Sequence, residues 1–147
     1  KNNVSKKVKV INKEGKMTSD AALKSRIDAN KAKKEKYERV KNSIASHGFS
    51  ETIDLSHYKD YIKHCKEAID KIDGNEGYHY LSNFKSKLST EKATMKTYVD
   101  FVRDANSSFK DLYKTLEAKI KALDSAIESD KAAYNKGKNI FQREWEW

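Results

Sequence analysis

"YVDFVRDANSSFKDLYKTL", residues 98–116, decides the architecture of this chain. Apolar residues keep helical spacing on both sides of Ala105-Asn106-Ser107-Ser108, four residues that also suit a turn. The heptad phase is unbroken across them: Leu81, Phe84, Leu88, Glu91, Met95, Tyr98, Val102, Ala105, Phe109, Leu112 and Leu116 alternate steps of three and four. One straight helix through residues 78–136 would be roughly 90 Å long. Against it, Ser108 followed three residues later by Asp111 resembles a capping box, and Asn106 suits a helix C-terminus. A helix that long would also outrun the helices before it and leave apolar seam in water. The expectation is therefore a hairpin at 105–108 and an all-α, elongated up-down bundle of about four long helices with coiled-coil-like heptad packing. The alternative is that helices 3 and 4 are continuous as one rod.

The rest of the chain fits a helical reading. It is 37% hydrophobic and 36% charged, a mixture suited to helices with one apolar stripe each. There is no proline and there are five glycines, so long segments are free of helix breakers. A first helix is expected from Ser19 as N-cap to about Ser46, stopped by Gly48. Its lysine-rich middle makes it the least securely packed. A second starts near Ser50 or Ser56 and ends at Asp73-Gly74, with Tyr58, Tyr61, Ile62, Cys65, Ile69 and Ile72 on one face. After Leu116 the seam takes one extra step of four and resumes at Ile120, Leu123, Ile127, Asp130 and Tyr134, the pattern of a stutter.

Three regions are expected: a basic N-terminal arm at 1–17, a helical bundle at 18–137 and a C-terminal tail at 138–147. Within the arm, Val8, Val10 and Glu14-Gly15 could form a small hairpin, but a mobile arm is the leading expectation. The chain opens on lysine, which suits a mature form or a fragment, and removal of a signal peptide is compatible with it. No stretch approaches the roughly 20 apolar residues of a membrane span.

The residues that carry chemistry are sparse. Cys65 is the single cysteine, so no internal disulfide forms, and its place on the apolar stripe marks it as a small core residue. A cysteine-poor chain is at home inside or outside a cell, so the compartment stays open: a soluble, a secreted and a virion-associated protein are all compatible. His64 and Cys65 are adjacent and point about 100° apart on a helix, which prevents a nucleophile–base pair. Glu76-x-x-His79 occurs once, without the second motif that a di-iron bundle requires. Gly-rich phosphate loops and nucleophile elbows are missing from the sequence. The expectation is a chain that is not an enzyme and uses neither metal nor cofactor.

Charge and aromatic residues point instead to partners. Residues 1–40 hold 13 Lys/Arg against 5 Asp/Glu, whereas residues 41–147 hold 18 against 17. Lys6, Lys7, Lys9, Lys31, Lys33, Lys34 and Lys36 form the part best suited to an anionic partner such as nucleic acid. Phe101 and Tyr113 flank the long seam and widen its apolar stripe, which suits a protein partner or a second copy. Trp145 and Trp147, in "REWEW", would share one side of an extended tail and could anchor a partner or fold back onto the helices.

The paired long helices and the Tyr113-x-x-x-Glu117 step resemble the small helical-hairpin substrates and partners of Gram-positive type VII secretion. The resemblance covers about the last 70 residues and implies a secreted helical hairpin or its binding partner. That family's turn carries Trp-x-Gly, where this chain reads Ala-Asn-Ser. The leading expectation is a non-enzymatic helical interaction or assembly module. A nucleic-acid-binding or packaging protein using the basic N-terminal third is the alternative, and a type VII-like substrate or partner is the next.

Overall fold

A computed structural model describes residues 10–11, 17–74 and 80–144 of the chain. Strand β1 (Val10–Ile11) pairs antiparallel with β2 (Met17–Thr18), Val10 opposite Thr18 and Ile11 opposite Met17. The small hairpin, the lesser expectation for this region, therefore forms at these four residues. Beyond it the described chain is helical: α1 (Asp20–Ser46), α2 (Ser56–Asp73) and α3 (Ser82–Asn135), followed by a 3-10 turn at Ile140–Gln142.

The ends of α1 follow the sequence signals. Ser19 Oγ accepts the Ala22 N–H at 3.2 Å, satisfying one of the donors that a helix N-terminus leaves open. At the other end Gly48 takes a φ of 73°, a left-handed conformation costly for any residue with a Cβ. Its N–H reaches Ala45 O at 2.9 Å and the Phe49 N–H reaches Ile44 O at 3.0 Å, the paired bonds of a Schellman ending. Helix α2 begins beside Asp54, whose Oδ1 accepts the Ser56 N–H at 2.8 Å. That backbone bond holds the Asp54 carboxyl below its ordinary range.

The hairpin expected at 105–108 does not form, so the described residues contain three α-helices rather than about four. Helix α3 runs 54 residues without a break, about 80 Å at the usual rise. The residues read as a turn have other partners. Asn106 is buried, and its carboxamide takes two backbone groups of the segment between α1 and α2: Nδ2 donates to Glu51 O at 2.8 Å and Oδ1 accepts the Ile53 N–H at 3.2 Å. Ser108 turns its hydroxyl back to Asp104 O at 3.0 Å, one helical turn earlier, instead of capping a new helix. Asparagine is a poor helix former by several tenths of a kcal/mol. Two bonds to backbone groups are worth more, at about 0.5–1.5 kcal/mol each. The turn that the type VII resemblance implies is absent for the same reason.

The chain divides into two compact units, and α3 contributes to both. Unit 1 comprises Lys1–Ser43 and Lys114–Trp147. In it α1 lies antiparallel to the C-terminal part of α3, as the pairs Arg26–Asp130, Lys34–Asp124 and Lys41–Glu117 show. Leu23, Ile27, Leu116, Ile127 and Tyr134 form its core, and Ile27 is 0% exposed. The resumed seam after Leu116 is thus the face that α1 covers. Unit 2, Ile44–Tyr113, sets α2 antiparallel to the N-terminal part of α3, with Lys85 on Asp73 near one end and Tyr58 against Tyr98 farther along. Its buried apolar residues are Ile44, Leu55, Cys65, Ile69 and Val99.

Candidate interaction surface

In unit 2 a single helix, α2, covers α3, and one helix screens only one side of another. Val99 and Asn106, seven residues apart, mark the buried meridian of α3. At 100° per residue, positions 94, 98, 101, 105, 108 and 112 lie about 100–180° around the helix from Val99, all in the same sense. These are Thr94, Tyr98, Phe101, Ala105, Ser108 and Leu112, a run without a charged residue. Phe101 is 69% exposed, Tyr98 50% and Leu112 42%. The expected seam, Phe84 through Leu112, is therefore only half covered. Leu88, Met95, Val102 and Ala105 are half-buried, while Phe84, Tyr98, Phe109 and Leu112 stand open.

Aromatic contacts hold the margin of this surface. Tyr58 of α2 meets the Tyr98 ring edge-on at 5.8 Å. Phe49, just past the Gly48 turn, stacks on Phe109 at 4.9 Å, and His47 stacks on Phe49 at 6.2 Å. The opposite margin is charged and matched within itself. Lys96 reaches Asp100 at 2.7 Å, and Arg103 bridges Asp100 at 3.0 Å and Asp104 at 3.1 Å. Lys96 accordingly holds the Asp100 carboxyl below its usual range. The surface is an uncharged strip centred on aromatic rings, with a self-neutralised ionic border.

The residues singled out in the sequence fall in different places. Phe101 stands at the middle of the strip, whereas Tyr113, one residue past Leu112, is half-buried. Trp145, Trp147, Lys6, Lys7 and Lys9 lie outside the described residues. The lysines of α1 do not form one surface. Lys34 is half-buried and bridges Asp124 at 2.6 Å and Glu38 at 3.5 Å, and Lys31 is also half-buried. Lys33 is exposed with its ammonium 5.8 Å from the Tyr37 ring centre, and Lys36 is exposed.

Unit 1 closes where unit 2 is open. Asp130 is 4% exposed and receives the Arg26 guanidinium in a two-point contact, with Nε at 2.9 Å from Oδ2. The tail returns to α3: Asn135 Nδ2 donates to Glu144 O at 2.8 Å, and Asn135 Oδ1 accepts the Glu144 N–H at 3.1 Å. Lys24 Nζ donates to Glu144 Oε1 at 2.7 Å, and this bond is the main reason that the Glu144 carboxyl sits below its ordinary range. Asn106 and Asn135 are thus the same device used twice, a helix carboxamide clamping backbone that lies outside the helix. Sequence reading missed both; the available signal was a lone asparagine inside or at the end of a long apolar phase.

Cys65 is buried beside Tyr61, whose hydroxyl it holds in a hydrogen bond that raises the Tyr61 pKa. His57 and His64 are exposed, and His79 lies outside the described residues. Among the described residues no group of three or more His, Cys, Asp or Glu could hold a metal ion, and no helix is long and apolar enough to cross a membrane. No known family, no curated protein and no solved structure matches the chain.

Proposed function

We propose that this protein is a non-enzymatic helical interaction module that binds a protein surface through the open face of α3 in unit 2. The observation that carries the reading is the uncharged strip around Phe101, with three large side chains from 42% to 69% exposed. Apolar surface in water costs roughly 25 cal/mol per Å², and contiguous patches of this kind mark interaction sites. Coiled-coil-like packing of that strip against a partner helix is part of the proposal.

What favours this over phosphate binding is the use already made of the basic first helix. Lys24, Arg26, Lys34 and Lys41 each face a carboxylate of their own unit, Glu144, Asp130, Asp124 and Glu117. Such pairs reduce the positive field that a nucleic acid would meet.

The test is Phe101→Glu. The parent chain at low micromolar concentration should bind an apolar fluorescent dye, or hide the strip by associating as concentration rises. Phe101→Glu should abolish both while far-UV circular dichroism stays unchanged. A parent chain that neither binds dye nor associates would overturn the proposal.

A further inference from the structure

We infer that the occupant of this strip is a second copy of the chain, its α3 antiparallel to the first, with a two-fold axis at the level of residue 103. The inference rests on the interaction reading above and names the partner.

The order of side-chain sizes along the strip points to this arrangement. From residue 94 to residue 112 it reads small, large, large, small, small, large: Thr94, Tyr98, Phe101, Ala105, Ser108, Leu112. Reversed about residue 103, Thr94 meets Leu112, Tyr98 meets Ser108 and Phe101 meets Ala105. Every large side chain faces a smaller one, which is how packed layers interdigitate without voids or clashes. The tightest of the three pairings is Thr94 with Leu112, since threonine is the bulkiest of the small residues and leucine the least bulky of the large ones. A parallel copy in register would set Tyr98 on Tyr98 and Phe101 on Phe101, and would leave gaps at Thr94, Ala105 and Ser108. A symmetric dimer requires a surface complementary to itself under a two-fold rotation, and this strip has that property.

Polarity and area agree with the size pattern. The six positions carry no charge, so no ionised group among them is desolvated, and at the level of the axis Arg103 lies on the far side of the helix from the strip, paired with Asp104 at 3.1 Å. Ser108 already spends its hydroxyl on Asp104 O, and a threonine within a helix has the same backbone acceptor one turn back. Large aromatic side chains offer about 200 Å² each. At the exposures of Tyr98, Phe101, Phe109 and Leu112, these four supply about 400 Å² per copy, half of the roughly 800 Å² per partner in a standard interface. Thr94, Ala105, Ser108 and the exposed Tyr58 and Tyr61 at the margin extend it further.

Two experiments on the 147-residue chain test the pairing. In a Cys65→Ser background, Thr94→Cys and Leu112→Cys proteins are mixed under mild oxidation. The antiparallel arrangement places each new cysteine against the other type, while two copies of the same variant hold theirs about 27 Å apart. Mixed disulfide dimers should form, and neither variant alone should cross-link. Self-linked Thr94→Cys dimers would mean a parallel arrangement and overturn the inference.

The second experiment exchanges the sizes. Phe101→Ala and Ala105→Phe should each weaken dimerisation about tenfold or more by sedimentation. The double variant restores large against small and should recover to within about threefold of the parent. Failure of the double variant to recover, or association without the mixed cross-link, overturns the register. A chain that stays monomeric yet binds apolar dye through Phe101 overturns the self-pairing and leaves the interaction face standing.

Discussion

Unit 1 and unit 2 are both built from one helix laid antiparallel on a stretch of α3, yet they present opposite surfaces. In unit 1 the covering helix is rich in lysine, and Arg26, Lys34 and Lys41 meet Asp130, Asp124 and Glu117, so ion pairs line the helix–helix contact and Leu116, Ile120, Leu123, Ile127 and Tyr134 are buried or half-buried beneath it. In unit 2 the covering helix is shorter and contributes tyrosines at its edges, and α3 keeps Phe84, Tyr98, Phe101, Phe109 and Leu112 exposed. The apolar content of a helix therefore does not tell how much of it is core. Coverage depends on the width of the neighbour and on which of its residues fall at the contact. The weakly apolar α1 covers its stretch well because long lysine and arginine stems shield apolar surface while their charged ends find carboxylates.

The largest expected effect sharpens that contrast directly. Ile27→Ala, in the closed unit, should cost about 2–5 kcal/mol in chemical denaturation, since it opens a cavity in a fully buried position. Phe101→Ala, an equally drastic truncation in the open unit, should stay within about 0.5 kcal/mol when the chain is measured as a monomer. Comparable losses at the two sites would show that the Phe101 surface is core and break the comparison.

A smaller effect is expected at the shared asparagine device. Asn106→Leu should cost about 1–3 kcal/mol, because Glu51 O and Ile53 N–H lose their partner. Hydrogen exchange at the Ile53 amide should accelerate in that variant, whereas Asn106→Asp, which keeps an acceptor, should preserve its protection. Unchanged exchange in Asn106→Leu would show that the segment between α1 and α2 is held by other contacts.

The smallest effect concerns the tail of unit 1 and is read by pH. The Lys24 ammonium holds Glu144 below the ordinary carboxylate range, so the folded protein binds this proton less readily than the unfolded chain. The contribution is present above the ordinary carboxylate pKa and is lost as pH falls through the depressed value. Amide protection around Asn135 and Glu144 should decline over that acidic window, and Glu144→Gln should remove the dependence. A pH-independent tail would show that the Asn135 clamp alone secures it.

Much of the helical layout was legible because its signals are local. Ser19, Gly48 and Asp73-Gly74 mark ends through capping and backbone geometry involving residues within a few positions. The Phe101 position was legible as an aromatic flanking the seam. Its neighbours Tyr98 and Leu112 were read as seam, because periodicity gives their relative angle around the helix and not the direction from which a neighbour arrives.

Sequence alone was enough to show that the heptad phase is unbroken from Leu81 to Leu116 and that Phe101 shares a side with Thr94, Ala105 and Leu112, since 100° per residue is a property of the backbone. That this phase is one helix through Asn106 rather than two was set by long-range contacts. The same side chain can end a helix or clamp a distant strand of backbone, and the choice belongs to Glu51 and Ile53, more than fifty positions away. Tertiary structure also decided that the aromatic strip stays open, because burial is a property of the space between elements and no single helix specifies what fills it.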